Sequence, residues 1–148
     1  MSKKIYSIRE FTKYLNIGHL KSEDLQIVNF EEEKDVRLKS APVTIDFYLL
    51  AIKPVLDKRV VADNRLADQS SSYMYLDCPQ NSLDWEIAPP LSGYCIMISA
   101  KYLDKYAKDY SFMHYDNHEA LYLTKEEEAI LWDLYKKAYN EFQKEYYS

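Results

Sequence analysis

Residues 124–147 constrain the fold more than any other stretch, because they read as one long amphipathic helix that needs a surface to lie on. Thr124 with Glu127 three places on has the spacing of a capping box, in which each side chain satisfies a backbone N–H at the helix start. Glu126, Glu127 and Glu128 sit at the positive end of the expected macrodipole, and Lys136, Lys137 and Lys144 lie towards its negative end. Leu131, Leu134, Tyr135, Ala138, Phe142 and Tyr146 recur at three- and four-residue steps, so one face is apolar. Neither Gly nor Pro interrupts the run. The surface it covers is the chain's own β-rich body or the same helix of a second subunit.

The preceding residues alternate short apolar runs with turn signals. Ser7 and Glu10 form a second capping box, and Ile8, Phe11, Tyr14 and Leu15 give a short helix ending near Gly18. Residues 25–30 and 43–53 read as strands, the second apolar on both faces and therefore central. Residues 36–38, 55–62, 73–78, 83–87 and 93–98 read as further short strands, with a turn at 63–65. Ser99 is the N-cap of a helix marked by Leu103, Tyr106, Ala107 and Tyr110. Residues 110–123 read as a connector. Short strands at this spacing, with helices at both ends, predict an α+β, mainly β, sandwich or small barrel of one domain over residues 1–148. The β part ends near residue 98, and residues 99–148 are helical.

Composition narrows the function. The net charge of −5 argues against this chain alone gripping a phosphate backbone. Only two glycines occur, so phosphate-cradling loops of the GxGxxG or Walker type are absent. No apolar run reaches bilayer-spanning length and the start lacks a signal-peptide core, which predicts a cytoplasmic protein without membrane contact. Cys78 and Cys95 fall in apolar stretches and read as buried thiols. Three histidines, His19, His114 and His118, include no His-x-His pair; His114, His118 and Glu119 on one helix face would be the sole candidate cluster, and no metal or other cofactor is expected. Serine and cysteine lack the contexts of a nucleophile, and carboxylate pairs such as Asp46 with Glu86, which could meet inside a barrel for acid–base work, carry the same signature as solvated or salt-bridged acids.

The order of segments resembles the N-terminal sensing half of AraC-type transcriptional regulators, which are similar to arabinose-operon regulators. The resemblance is carried by residues 47–53 (Phe-Tyr-Leu-Leu-Ala-Ile-Lys), 75–80 (Tyr-Leu-Asp-Cys-Pro-Gln) and the Gly93-Tyr94 strand start. Residues 110–124 with Glu127 are the most distinctive piece, and residues 7–15 and 25–30 follow the same order. His118 stands where the family usually has Asn, and residues 62–68 lack the family's glycines. The resemblance implies a cupin-like jelly-roll barrel with a short N-terminal helix and C-terminal dimerisation helices. It implies a non-catalytic role: a small-molecule effector bound in the barrel, a homodimer, and DNA reached only through a C-terminal domain that this chain lacks. Fifteen tyrosines supply candidate ligand contacts. Tyr48, Arg59, Tyr73, Tyr75, Trp85 and Tyr94 are the expected pocket residues. Leu131, Leu134, Ala138, Phe142 and Tyr146 are the expected dimer stripe, with Trp132 or Tyr139 at its margin. The alternatives are a small cupin-type isomerase or oxygenase, and a self-association module without a ligand.

Overall fold

The computed structural model describes residues 4–18, 20–54, 71–106 and 120–147. The elements are β1 (Ile5–Tyr6), α1 (Ile8–Tyr14), β2 (Leu25–Asn29), β3 (Val43–Ile45), β4 (Phe47–Pro54), β5 (Ser72–Asp77), β6 (Ser82–Leu83), β7 (Tyr94–Ser99), α2 (Ala100–Tyr106), β8 (Ala120–Tyr122) and α3 (Lys125–Tyr147). A fully antiparallel sheet runs β2-β7-β4-β5-β8, and a small sheet runs β1-β3-β6. The architecture is α+β, as expected. The described strands do not close into a barrel, and helix matches strand in extent, so "mainly β" is corrected. The expected strand at 55–62 and the turn at 63–65 lie outside the described residues, as do His19, Arg59, His114, His118 and Glu119.

Three layers result. One face of the large sheet carries Val28, Phe47, Leu49, Ala51, Cys95 and Met97, covered by α1 through Ile8 and Phe11 and by the small sheet through Val43, Ile45 and Leu83. The opposite face carries Ile27, Ile52, Tyr94 and Ile96, covered by α3. Strand β4 is therefore central and covered on both sides, which is why residues 47–52 are apolar at almost every position. The expected single strand 43–53 is broken at Asp46. Residues on one side pair with β1 and β6, those on the other with β5 and β7, and the Asp46 N–H donates to the Tyr6 carbonyl at 3.0 Å.

Helix ends follow local chemistry. Both capping boxes form: the Ser7 hydroxyl accepts from Glu10 N–H and Glu10 from Ser7 N–H. Likewise Thr124 N–H donates to Glu127 at 2.9 Å and Glu127 N–H to Thr124 at 3.2 Å. Helix α1 stops before Gly18, at Asn16, which takes φ 67°. Asn16 N–H donates to Lys13 O and Ile17 N–H to Thr12 O, the paired bonds of a Schellman end, with Asn in the left-handed position it tolerates better than most residues. Ser99 caps α2 by accepting from Tyr102 N–H at 3.1 Å.

The α3 face differs from the expected one by a rotation. Tyr135, Tyr139 and Phe142 are buried at its centre, flanked by Leu131, Trp132 and Ala138. Leu134 is 54% exposed and points away from the sheet. Hydrogen bonds decide the rotation: Trp132 Nε1 donates to Ser72 Oγ at 2.8 Å, Ser71 N–H to Glu128 at 3.0 Å, and the Tyr139 hydroxyl to Glu32. Apolar periodicity alone weighted Leu134 above Trp132, whose indole also needs a polar partner. Among the described residues no helix is long and apolar enough to cross a membrane.

Candidate functional site: a lysine-bearing cavity between the sheets

A cavity of about 70 Å³ lies between the large sheet and the layer formed by α1 and the small sheet. Leu49, Lys53, Tyr75 and Cys95 form its floor, all on the inner face of β4, β5 and β7. Phe11 and Leu15 of α1 close one side, Phe30 and Val36 another, and Leu83, Asp84, Trp85 and Ile87 the third. Its volume exceeds the ~10–15 Å³ that one water needs and falls short of the ~150 Å³ cavity that takes a benzene ring. A short aliphatic body fits; a ring requires a wall to move.

Trp85 is held from several directions. Its Nε1 donates to Arg37 O at 2.8 Å, its backbone N–H to Ser40 Oγ at 2.9 Å, and its ring meets Phe11 and Tyr14 edge-on at 5.7 and 6.0 Å. The flanking bonds Ser40 N–H to Trp85 O and Ile87 N–H to Leu38 O replace the longer strands expected at 36–38 and 83–87. An indole tied at both its nitrogen and its backbone is a stiff wall.

Lys53 is the sole cation of the lining. Its ammonium sits 4.5 Å from the centre of the Phe30 ring, and among the described residues it pairs with no carboxylate. Burial lowers its pKa, partly offset by the Cys95 sulfur. Burial also pushes the Cys95 thiol up to about 12, and holds the Tyr75 phenol well above its usual range. Thiol and phenol therefore stay protonated and neutral. Gly93 makes the arrangement possible, since its φ is 106° and a Cβ there would lie 2.3 Å from the Ile52 carbonyl and 3.2 Å from Lys53 Cγ. Its carbonyl accepts from Phe30 N–H at 3.0 Å, fixing the ring under the ammonium.

The expected pocket residues divide. Tyr75 and Trp85 line the cavity. Tyr73 is on the same sheet face but stacks between Tyr75 and Tyr122 at 6.2 and 6.0 Å, outside the lining. Tyr48 and Tyr94 are on the opposite face, which removes both from this cavity. Tyr94 packs beneath α3 against Tyr135 and Tyr139, and Tyr48 is buried, its hydroxyl raised by burial and by Asp104 of α2. Lys53 was missed, although the two-residue alternation Phe47, Leu49, Ala51, Lys53 places it on the inner face.

Of the expected dimer stripe, Phe142 is 4% exposed and packs with Ile27 and Tyr139, and Ala138 packs beside them, so both face their own sheet. Leu131 packs against Ile52, Leu123 and Tyr135. The Tyr146 side chain lies outside the described residues. Asp46, with its carboxyl raised by partial burial and by Glu10, is at the bend before β4, whereas Glu86 is at the bridge to Lys39. Among the described residues no three His, Cys, Asp or Glu side chains converge as metal ligands. Cys78 is half-buried and Cys95 buried, and the two form no disulfide.

The arrangement suits an apolar body with one negative charge placed beside Lys53, which has no ion-pair partner among the described residues. No protein-family model matches the sequence, and neither the curated proteins nor the solved structures contain a significant match.

Proposed function

We propose that this chain is a non-catalytic effector-binding module of the AraC type whose effector is a short-chain apolar carboxylate held between the two sheets. The observation that carries the reading is Lys53, the sole cation of a mostly apolar lining, with the Phe30 ring beside it and no ion-pair partner among the described residues. The other charged lining residue, Asp84, is exposed. A bound carboxylate supplies the missing charge in a place where water screens it poorly. Binding rather than turnover is supported by the neutral state of Cys95 and Tyr75, which leaves the lining without a thiolate or phenolate near neutral pH.

The family reading rests on the resemblance of residues 47–53, 75–80 and 93–94, which contribute to β4, β5 and β7 around the cavity floor. In that reading the two sheets are the halves of a cupin-like jelly roll, and transcription is controlled through the DNA-binding domain that the family carries. A homodimer would use the outward strip of α3 at Ile130 and Leu134, which are 60% and 54% exposed. Ligand binding would act by favouring one arrangement of the paired helices over another.

Sodium butyrate and neutral butyramide, matched in shape, test the charge. Butyrate is expected to raise Tm in a saturable way and butyramide to leave it unchanged. Lys53→Met is expected to fold and to lose the butyrate response. Because burial lowers the Lys53 pKa, the response fades with rising pH below the range of an ordinary lysine. Equal responses to the two compounds, or a full response in Lys53→Met, would sink the reading.

A further inference from the structure

The outer side of α1 carries a second concave surface, separate from the cavity that its Phe11 and Leu15 help to line. It is an open basin of about 530 Å³, bordered by Lys4, Tyr6, Glu10, Lys13, Tyr14, Asn16 and Arg37. Three cations thus face one carboxylate on a chain whose net charge is −5. That carboxylate is already committed: Glu10 accepts from Ser7 N–H and lies 3.4 Å from Lys4 Nζ. Lys13 and the two terminal nitrogens of Arg37 are left uncompensated among the described residues.

Arg37 is held ready. Its backbone N–H donates to Leu15 O at 2.9 Å and its Nε to Tyr14 O at 2.8 Å, while its guanidinium stacks 4.1 Å from the centre of the Tyr14 ring. The ring is itself pinned, its hydroxyl accepting from Ala41 N–H at 3.0 Å. With Nε occupied by a carbonyl, the remaining edge of the fork is the pair of Nη groups, which matches two oxygens of one tetrahedral anion. Lys13 and Arg37 come from segments far apart in sequence, brought together by the Schellman end of α1, where Asn16 in the left-handed conformation turns the chain beside them. A guanidinium immobilised before the ligand arrives loses little conformational freedom on binding.

We propose that this basin binds the phosphoryl group of a phosphorylated small molecule, with Arg37 as the fork and Lys13 as the second cation. The basin's size accommodates a metabolite around that group. It does not depend on the nature of the ligand between the sheets, since the two sites use opposite sides of α1.

Titration of the ¹⁵N-labelled protein with sodium pyrophosphate at low ionic strength tests the assignment, with citrate at matched ionic strength as the second arm. Saturable shifts are expected at the amides of Tyr14, Asn16 and Arg37, with citrate binding more weakly. Lys13→Glu, at an exposed position with no partner among the described residues, is expected to fold normally and to weaken pyrophosphate about tenfold. Arg37→Lys keeps the charge, loses the fork and is expected to weaken it by a similar factor. Absence of saturable shifts at these amides, citrate binding as tightly as pyrophosphate, or unchanged affinity in Lys13→Glu would each overturn the proposal.

Discussion

The two faces of the large sheet are built to different standards. Under α3, Tyr94 meets Trp132, Tyr135 and Tyr139 at ring-centre distances of 6.1, 6.3 and 5.8 Å, and the polar ends of Trp132 and Tyr139 are tied off at Ser72 and Glu32. Under α1 and the small sheet, the same strands leave a cavity and admit a lysine. Both faces are rich in aromatics, so aromatic content alone does not separate a filled core from a binding wall. What separates them is whether each polar tip has a partner. On the α3 face Trp132 and Tyr139 have theirs and the rings fill the space; on the other, Lys53 has no ion-pair partner among the described residues and a cavity lies beside it.

The largest expected effect tests the filled face. Phe142→Ala removes a ring that is 4% exposed between Ile27 and Tyr139, and urea denaturation is expected to show a loss of about 3–5 kcal/mol. A loss under about 1 kcal/mol, the scale of surface changes, would mean that α3 rests loosely on the sheet.

Next comes the hinge between the two faces. Gly93→Ala puts a methyl 2.3 Å from the Ile52 carbonyl at a φ of 106°, so the start of β7 has to shift. A loss of about 2 kcal/mol or more is expected, together with a weaker butyrate response, because Phe30 and Lys53 both lean on this residue. Unchanged stability would show that the strand start does not need this conformation.

These two sites also mark what the sequence reveals. Helix α3, both capping boxes, central β4 and the start of β7 are written in short-range chemistry, and all appear where spacing places them. The break at Asp46 is not, because residues 43–53 are apolar on both sides of it and only the partner strands differ. Strand β8 falls in the expected connector 110–123: three residues at a sheet edge hold too little periodicity to register, and only pairing of Tyr122 with Tyr73 reveals it. The site was half legible. Tyr75 and Trp85 stand out as aromatics, but Tyr48 and Tyr94 carry the same signal on the wrong face, and Lys53, the last residue of the expected strand 43–53, carries no aromatic signal at all.

Titration sharpens the comparison, since buried phenols raise their pKa on both faces, Tyr75 with the Cys95 thiol on one and Tyr135 with Tyr139 on the other, while Lys53 alone opposes them. Burial raises the phenols of Tyr135 and Tyr139, the latter to about 12, so these groups hold their protons longer folded than unfolded. The stability they confer is fully present below about pH 10, the unfolded phenol value, and is lost as pH rises through the folded values. Lys53 acts the other way: its lowered pKa means the folded state sheds its proton first, so its unfavourable contribution at neutral pH is relieved as pH rises towards the ordinary lysine value. Urea stability followed from pH 8 to 11 is expected to fall by at least roughly 1–2 kcal/mol, through the buried Cys95 thiol and the Tyr75 phenol as well as Tyr135. Lys53→Met is expected to deepen that fall slightly, by removing the opposing contribution. A flat profile through pH 11 would place these phenols and the Cys95 thiol in water rather than in a core.

The smallest effect concerns the side of α3 that no part of the described chain covers. Leu134 at 54% exposure buries little on its own sheet, so Leu134→Ala is expected to change monomer stability by less than about 0.5 kcal/mol, in contrast with Phe142 two turns on. A covering partner would alter that number. If a second copy lays its own Ile130 and Leu134 against this strip, unfolding becomes dependent on protein concentration, and Leu134→Ala lowers stability most where the dimer is most populated. Sedimentation across a wide concentration range, with Phe142→Ala as the control that damages the monomer instead, separates the two effects. Equal losses for Leu134→Ala at every concentration would assign the strip to the monomer and remove the dimer from the proposed function.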